Sequence, residues 1–267
     1  MILRDVLLKA ERFVAQHGDS LERARCQVLI REREHQRVID LLGEPLAEGA
    51  PLDSKGLHAE MSRLWVLAES GQLGHPLAQA ICEHLISLQH EAGCWGSPDE
   101  SLDECVRTTG LVAGGLARTR WGGRAALHSA GDFLASHWSP ERVKGDRLSD
   151  ITSHALFFSN FAHEESDAVL QWCGREFERG FRTQVFAPLD AARVLVRCDA
   201  HALPGARVDA AELGACLLNE QAGDGGWVCA DPDSPPPATT VQAVAVLRHF
   251  GVPSLTSLEA GRSNEGS

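Results

Sequence analysis

Two short segments hold the side chains of this chain that are best placed to do chemistry. Asp103-Glu104-Cys105 sets two carboxyls and a thiol within three residues, and Asp150 is followed four residues later by His154. A carboxylate can donate or accept a proton or hold a cation. A thiolate is a nucleophile and a soft metal ligand. An imidazole can carry a proton or bind a metal near neutral pH. Cys105 and His154 lie 49 residues apart in the sequence, so only a fold can bring them together.

The elements that must position them are helices. Apolar residues recur at steps near 3.6, with one stripe on Leu7, Leu8, Phe13 and Val14 and another running from Val28 to Leu42. Further helices are expected over 54–71, 76–90, 103–119, 123–137, 148–162, 166–179, 186–199, 208–220 and 238–250. Breakers separate them: Gly49 to Pro51, Gly71 to Pro76, Gly93 to Pro98, Gly122-Gly123, Ser139-Pro140, Leu203 to Gly205 and Asp231 to Pro237. No run alternates apolar and polar residues with β-branched enrichment, so the reading is all-α. Past Phe250 the composition turns polar and rich in Gly and Ser, which predicts a single domain over 1–250 and a flexible tail over 251–267.

Composition excludes several functions. The 267 residues carry 25 Lys plus Arg against 37 Asp plus Glu, a formal net charge of −12 that repels nucleic-acid backbones and anionic lipid surfaces. Met1 to Gly18 is interrupted by Arg4, Asp5, Lys9, Glu11 and Arg12, so it reads as an amphipathic helix and not a secretory signal. The weakly polar run Gly110 to Ala117 is too short to cross a bilayer. Eight scattered cysteines without a C-x-x-C pair read as reduced thiols of a cytoplasmic protein.

An internal repeat organises the chain. Gln89-His-Glu-Ala-Gly93-Cys-Trp95 and Gln221-Ala-Gly-Asp-Gly225-Gly-Trp227 share the pattern Q-x-x-x-G-x-W. Each follows an apolar helix, and each is followed by a new helix that carries a threonine pair, Thr108-Thr109 or Thr239-Thr240. In this setting the glycine permits a tight helix exit. The glutamine amide can bond open helix ends. The Gln and Trp are therefore expected to tie helix pairs together and do no chemistry. Aligned on the threonine pairs, Asp103-Glu104-Cys105 stands opposite Ser234-Pro235-Pro236, so the repeat itself requires neither the acids nor the thiol.

This residue set resembles the QW-type repeat of the terpenoid cyclase and protein prenyltransferase superfamily. The resemblance implies an α/α toroid, a ring of about five to six helix pairs, with residues 103–119, 148–162 and 238–250 as inner helices. It also implies an enzyme acting on a small, mostly apolar substrate, isoprenoid in type, in a central cavity. In the prenyltransferases an Asp-x-Cys at the start of an inner helix and a His one repeat later hold a catalytic zinc ion. Carried onto this chain, the zinc ligands are Asp103, Cys105 and His154, with a fourth position open to substrate. The loop before them, Gly96 to Leu102, lacks the basic residues with which that family meets a diphosphate.

The cyclase branch implies a different chemistry at the same place. Its Asp-rich motif falls in register on Ser101-Leu-Asp103-Glu104, which would make Asp103 a general acid with Glu104 beside it. Such an acid needs burial and nearby carboxylates, here Asp99, Glu100 and Glu104. With 6% aromatic residues and no Tyr, the chain is poorly equipped to steer carbocations over aromatic faces. Two further readings stay open. Asp103, Cys105 and His154 could be a helix cap, a core thiol and a rim residue, and the whole could be a non-catalytic toroid that binds a ligand or a partner protein.

Overall fold

In a computed structural model of the chain, the described residues are 3–46, 51–97, 99–228 and 236–258. They form twelve named helices and no strand: α1 Leu3–His17, α2 Ser20–Arg31, α3 His35–Leu42, α4 Ser54–Glu69, α5 Pro76–Ser87, α6 Leu102–Ala117, α7 Arg124–His137, α8 Leu148–Asn160, α9 Ser166–Arg182, α10 Pro188–Cys198, α11 Ala210–Glu220 and α12 Pro236–His249. The fold is all-α. No helix among the described residues is long and apolar enough to cross a membrane.

Local chemistry accounts for where the helices begin. Asp19 and Glu22 close a reciprocal capping box at α2, with Glu22 N donating to Asp19 Oδ1 at 2.7 Å and Asp19 N to Glu22 Oε2 at 2.8 Å. Asp53 caps α4 through Gly56 N, and Pro76 opens α5, where its missing N–H costs nothing. At α6 the cap is Ser101, whose hydroxyl accepts from Glu104 N at 3.2 Å, and Asp103 is already inside the first turn. The stripe from Val28 to Leu42 proves to be two helices. Glu32 and Glu34 both adopt left-handed backbone, with φ of 57° and 64°, and turn the chain between α2 and α3.

The chain divides into two compact units. Unit 1 comprises Met1–Gly43, Ala187–Ala192 and Ala210–Ser267; unit 2 comprises Glu44–Phe186 and Arg193–Asp209. Within unit 2, α6 packs chiefly on α8, and also on α4 and α7. The α6–α8 contact is close because residue 110 is glycine: a Cβ there would lie 2.5 Å from Ser153 O. Every residue of α8 from Asp150 to Phe158 is buried, as befits a helix covered on all sides. By contrast α1 buries one stripe, Val6, Leu7, Ala10, Phe13 and Val14.

Within unit 1, α12 packs on α2, α1 and α11 and is buried almost throughout from Pro237 to Leu247. Of the flexible tail expected over 251–267, residues 251–258 are described. Leu255 is fully buried, and Thr256 Oγ1 donates to Arg31 O at 3.0 Å. Residues 259–267 of that expected tail, and the Asp231–Pro235 part of the second repeat's loop, lie outside the described residues.

Candidate functional site

The two repeat corners are built alike, bond for bond. In the first, Trp95 is fully buried, its Nε1 donating to Leu85 O at 2.6 Å and its backbone N to Thr109 Oγ1 at 3.0 Å. Gln89 Nε2 donates to Gly93 O and to Ala126 O, both at 2.9 Å, reaching the start of α7. In the second, Trp227 Nε1 donates to Leu217 O at 2.8 Å and Trp227 N to Thr240 Oγ1 at 3.1 Å. Gln221 Nε2 donates to Gly225 O at 3.0 Å and to Val6 O at 2.9 Å, reaching the start of α1. The N-terminal helix α1 therefore stands in the second corner where α7 stands in the first. The second threonine of each pair, Thr109 or Thr240, is the acceptor that holds the corner onto its following helix.

The chemistry-bearing residues gather at the N-terminal ends of α6 and α8, in unit 2. Asp150, buried, accepts from Arg107 Nε of α6 and lies 3.8 Å from Arg147 Nη1. Arg107 also bonds Glu104, three residues earlier, at 3.1 Å. Asp103 keeps 49% of its side-chain surface in solvent and faces Arg142 Nη1 at 3.6 Å. Three carboxylates are thus met by three arginines, and one of those links, Arg107 to Asp150, ties α6 to α8. Sequence reasoning missed all three arginines. The spacing of Glu104 and Arg107 could have revealed one pair; nothing local points across the 43 residues to Asp150.

His154 is the unusual member. It is 2% exposed, and its Nδ1 lies 2.8 Å from Asp150 O. A carbonyl can only accept, so Nδ1 carries the proton and Nε2 presents a lone pair. That Nε2 is buried and has no hydrogen-bond partner. Burial lowers the pKa of the imidazole and Arg142 pushes the same way, against the Asp150 carbonyl bond and the Asp150 charge, which raise it. The group is a neutral acceptor, preset by its own helix.

This state has a stability signature. A histidine whose pKa is depressed in the folded state gives the unfolded chain the greater proton affinity. Stability is then complete above the ordinary imidazole range and falls as the pH drops through it toward the folded value. Urea unfolding midpoints should decline from about pH 7 to about pH 5. In His154→Gln, which cannot titrate, the decline should be shallower; an unchanged slope would remove His154 as its source.

The expected zinc trio is not gathered. Among the described residues no group of three or more His, Cys, Asp and Glu side chains is placed to hold a metal ion. Asp103 points to solvent and Arg142, while Cys105 Sγ donates to Trp95 O at 3.4 Å. Burial first, then Cys94 and Glu100, push the Cys105 thiol up to about 11, which keeps it protonated at neutral pH. As arranged, Asp103, Cys105 and His154 do not fit a shared zinc ion. The general acid expected at Asp103, with Glu104 beside it, also lacks the enclosure that role needs. Asp103 is open to water, and Glu104 is tied to Arg107. An open cleft of about 320 Å³ lies at the other end of α6, near Arg120, Arg124, His128 and Phe161, and none of the expected site residues lines it.

No known family model matches this chain, and no curated protein or solved structure is detectably similar to it.

Proposed function

We propose that the chain is an α/α toroid enzyme of the prenyltransferase and terpenoid cyclase type, acting on a small, mostly apolar substrate with His154 as proton acceptor. The ring reading rests on the second corner. A linear array of helix pairs has no reason to return its first helix to its last pair, yet Gln221 bonds α1 as Gln89 bonds α7. Alternate helices are neighbours on both sides of the repeat, α4–α6–α8 in unit 2 and α12–α2 in unit 1, as successive inner helices of a ring would be.

The chemical reading rests on one observation, the unpartnered Nε2 of a buried, neutral His154. A neutral imidazole with a free lone pair can take a proton from a substrate during group transfer or isomerisation. Its Nδ1–H, held on Asp150 O, would steady the imidazolium that forms. Arg107 and Arg147 hold the Asp150 side chain and thereby the first turn of α8. No step is routed through zinc, because Asp103 and Cys105 are engaged elsewhere.

The test is turnover of farnesyl diphosphate and farnesol by the purified chain, followed by chromatography of products. His154→Gln should lower turnover by about 100-fold or more, the usual worth of a positioned base, while Asp103→Asn has little effect. A loss in Asp103→Asn with His154→Gln unaffected would make Asp103 the proton donor instead. Thermal stabilisation by farnesol without turnover would identify a binding toroid, and no response to either compound would end the isoprenoid reading.

A further inference from the structure

We propose that the open cleft between the end of α6, the start of α7 and the end of α8 binds a small organic phosphate monoester with an aromatic body. The cleft measures about 320 Å³, enough for a ligand of modest size, and its whole wall belongs to unit 2. Arg120, Arg124 and His128 line it, and no carboxylate does. That is a local reversal in a chain whose formal net charge is −12.

The state of the two arginines sets the cleft apart. Other guanidinium groups of unit 2 are engaged by carboxylates, Arg63 by Glu60, Arg107 by Asp150 and Arg179 by Glu176. Among the described residues, Arg120 and Arg124 have no such partner. Arg120 lies over the Trp121 ring, its Cζ 4.4 Å from the centroid, a stacking that steadies the planar group and leaves its N–H donors unused. Arg124 donates through Nε to His128 Nε2 at 3.4 Å, so both of its terminal amino groups remain for a ligand. An arginine can only donate; His128 Nε2 therefore accepts, and Nδ1 carries the proton as a third donor in the wall. Guanidinium forks match the oxygens of a phosphate in both geometry and charge.

The rest of the wall indicates what the phosphate is attached to. Leu127 and Phe161 supply an apolar side, and the Phe161 ring meets the His128 ring edge-on, with centroids 5.0 Å apart at 83°. Covering that surface is favourable for an aromatic group and gives nothing to a bare ion. The start of α7 adds to the same field. No side chain caps it at Gly123, so the N–H groups of residues 124–126 have no acceptor within the helix. This backbone contribution is secondary to the arginines. None of the wall residues takes part in the chemistry assigned to His154, so the site stands independently of that reading.

The test is isothermal titration calorimetry of the full chain at low ionic strength, with phenyl phosphate and inorganic phosphate as probes. Phenyl phosphate should saturate at one per chain, and inorganic phosphate should bind about 10-fold more weakly or worse. Arg120 and Arg124 are exposed, so Arg120→Gln and Arg124→Gln should keep the parent's circular dichroism and melting temperature. Each should weaken phenyl phosphate by about 10-fold or more. Three results overturn the proposal. They are no saturable heat with phenyl phosphate at millimolar concentration, equal affinity for inorganic phosphate, which would leave only a bare anion site, and undiminished affinity in either variant, which would place binding elsewhere.

Discussion

Trp95→Ala should destabilise unit 2 by about 3–5 kcal/mol, the range for truncating a large buried aromatic side chain. The indole is 0% exposed, so its removal leaves a cavity that the corner cannot easily collapse into. The same substitution also removes one of the two donors of Leu85 O, which Nε1 bonds at 2.6 Å and Leu88 N at 3.2 Å at the end of α5. Trp95→Phe separates the two contributions. It keeps most of the apolar body and loses the N–H, and it should cost about 1–3 kcal/mol for the lost hydrogen bond and the smaller ring. Trp227→Ala, 1% exposed and bonded to Leu217 O, should match Trp95→Ala in size, in unit 1. Urea unfolding followed by far-ultraviolet circular dichroism reads all three. A cost below about 1 kcal/mol, the level of an ordinary surface change, would mean that the tryptophans do not hold the corners.

The glycines of the two corners should be almost as intolerant. Gly93 and Gly225 have φ of +84° and +100°, where an L side chain is strained. A Cβ on Gly225 would lie 2.5 Å from Lys9 O and 2.6 Å from Lys9 C, backbone atoms of α1, and one on Gly93 would meet Ser129 O of α7 in the same way. Backbone cannot swing aside as a side chain can. Strain and overpacking together put Gly225→Ala and Gly93→Ala at about 2–4 kcal/mol each. The pair is informative because it tests whether α1 in unit 1 does the work that α7 does in unit 2. If Gly93→Ala proved costly and Gly225→Ala neutral, α1 would not be bound into the second corner, and the ring reading would lose its main support.

Much of the architecture was legible because its causes are local. The nine helices expected between 54 and 250 all form, with ends within a few residues, since 3.6-residue periodicity, caps and Gly or Pro breakers act over one or two turns. The break between α2 and α3 was not legible. It depends on two glutamates taking left-handed backbone, a conformation that residue type does not announce. The corners were legible in kind, because Q-x-x-x-G-x-W recurs with its threonine pair. That Gln221 reaches α1 was not, since its acceptor is 215 residues away.

The site shows the same division more sharply. From residue types alone, Asp103, Cys105 and His154 made a plausible ligand set, and nothing in a linear pattern says where each side chain points. Tertiary packing gave Asp103 to solvent and Arg142, set Cys105 against Trp95 O, and enclosed His154 in a helix covered on all sides. The sequence by itself determined the helices, their caps and the repeated corner, because these follow from interactions a few residues apart. Only the tertiary structure decided the partners of the chemical groups: Asp150 with Arg107 across 43 residues, and the burial that leaves His154 neutral with a free lone pair. Charge pairing and desolvation depend on which surfaces meet, and that is settled only when the helices pack.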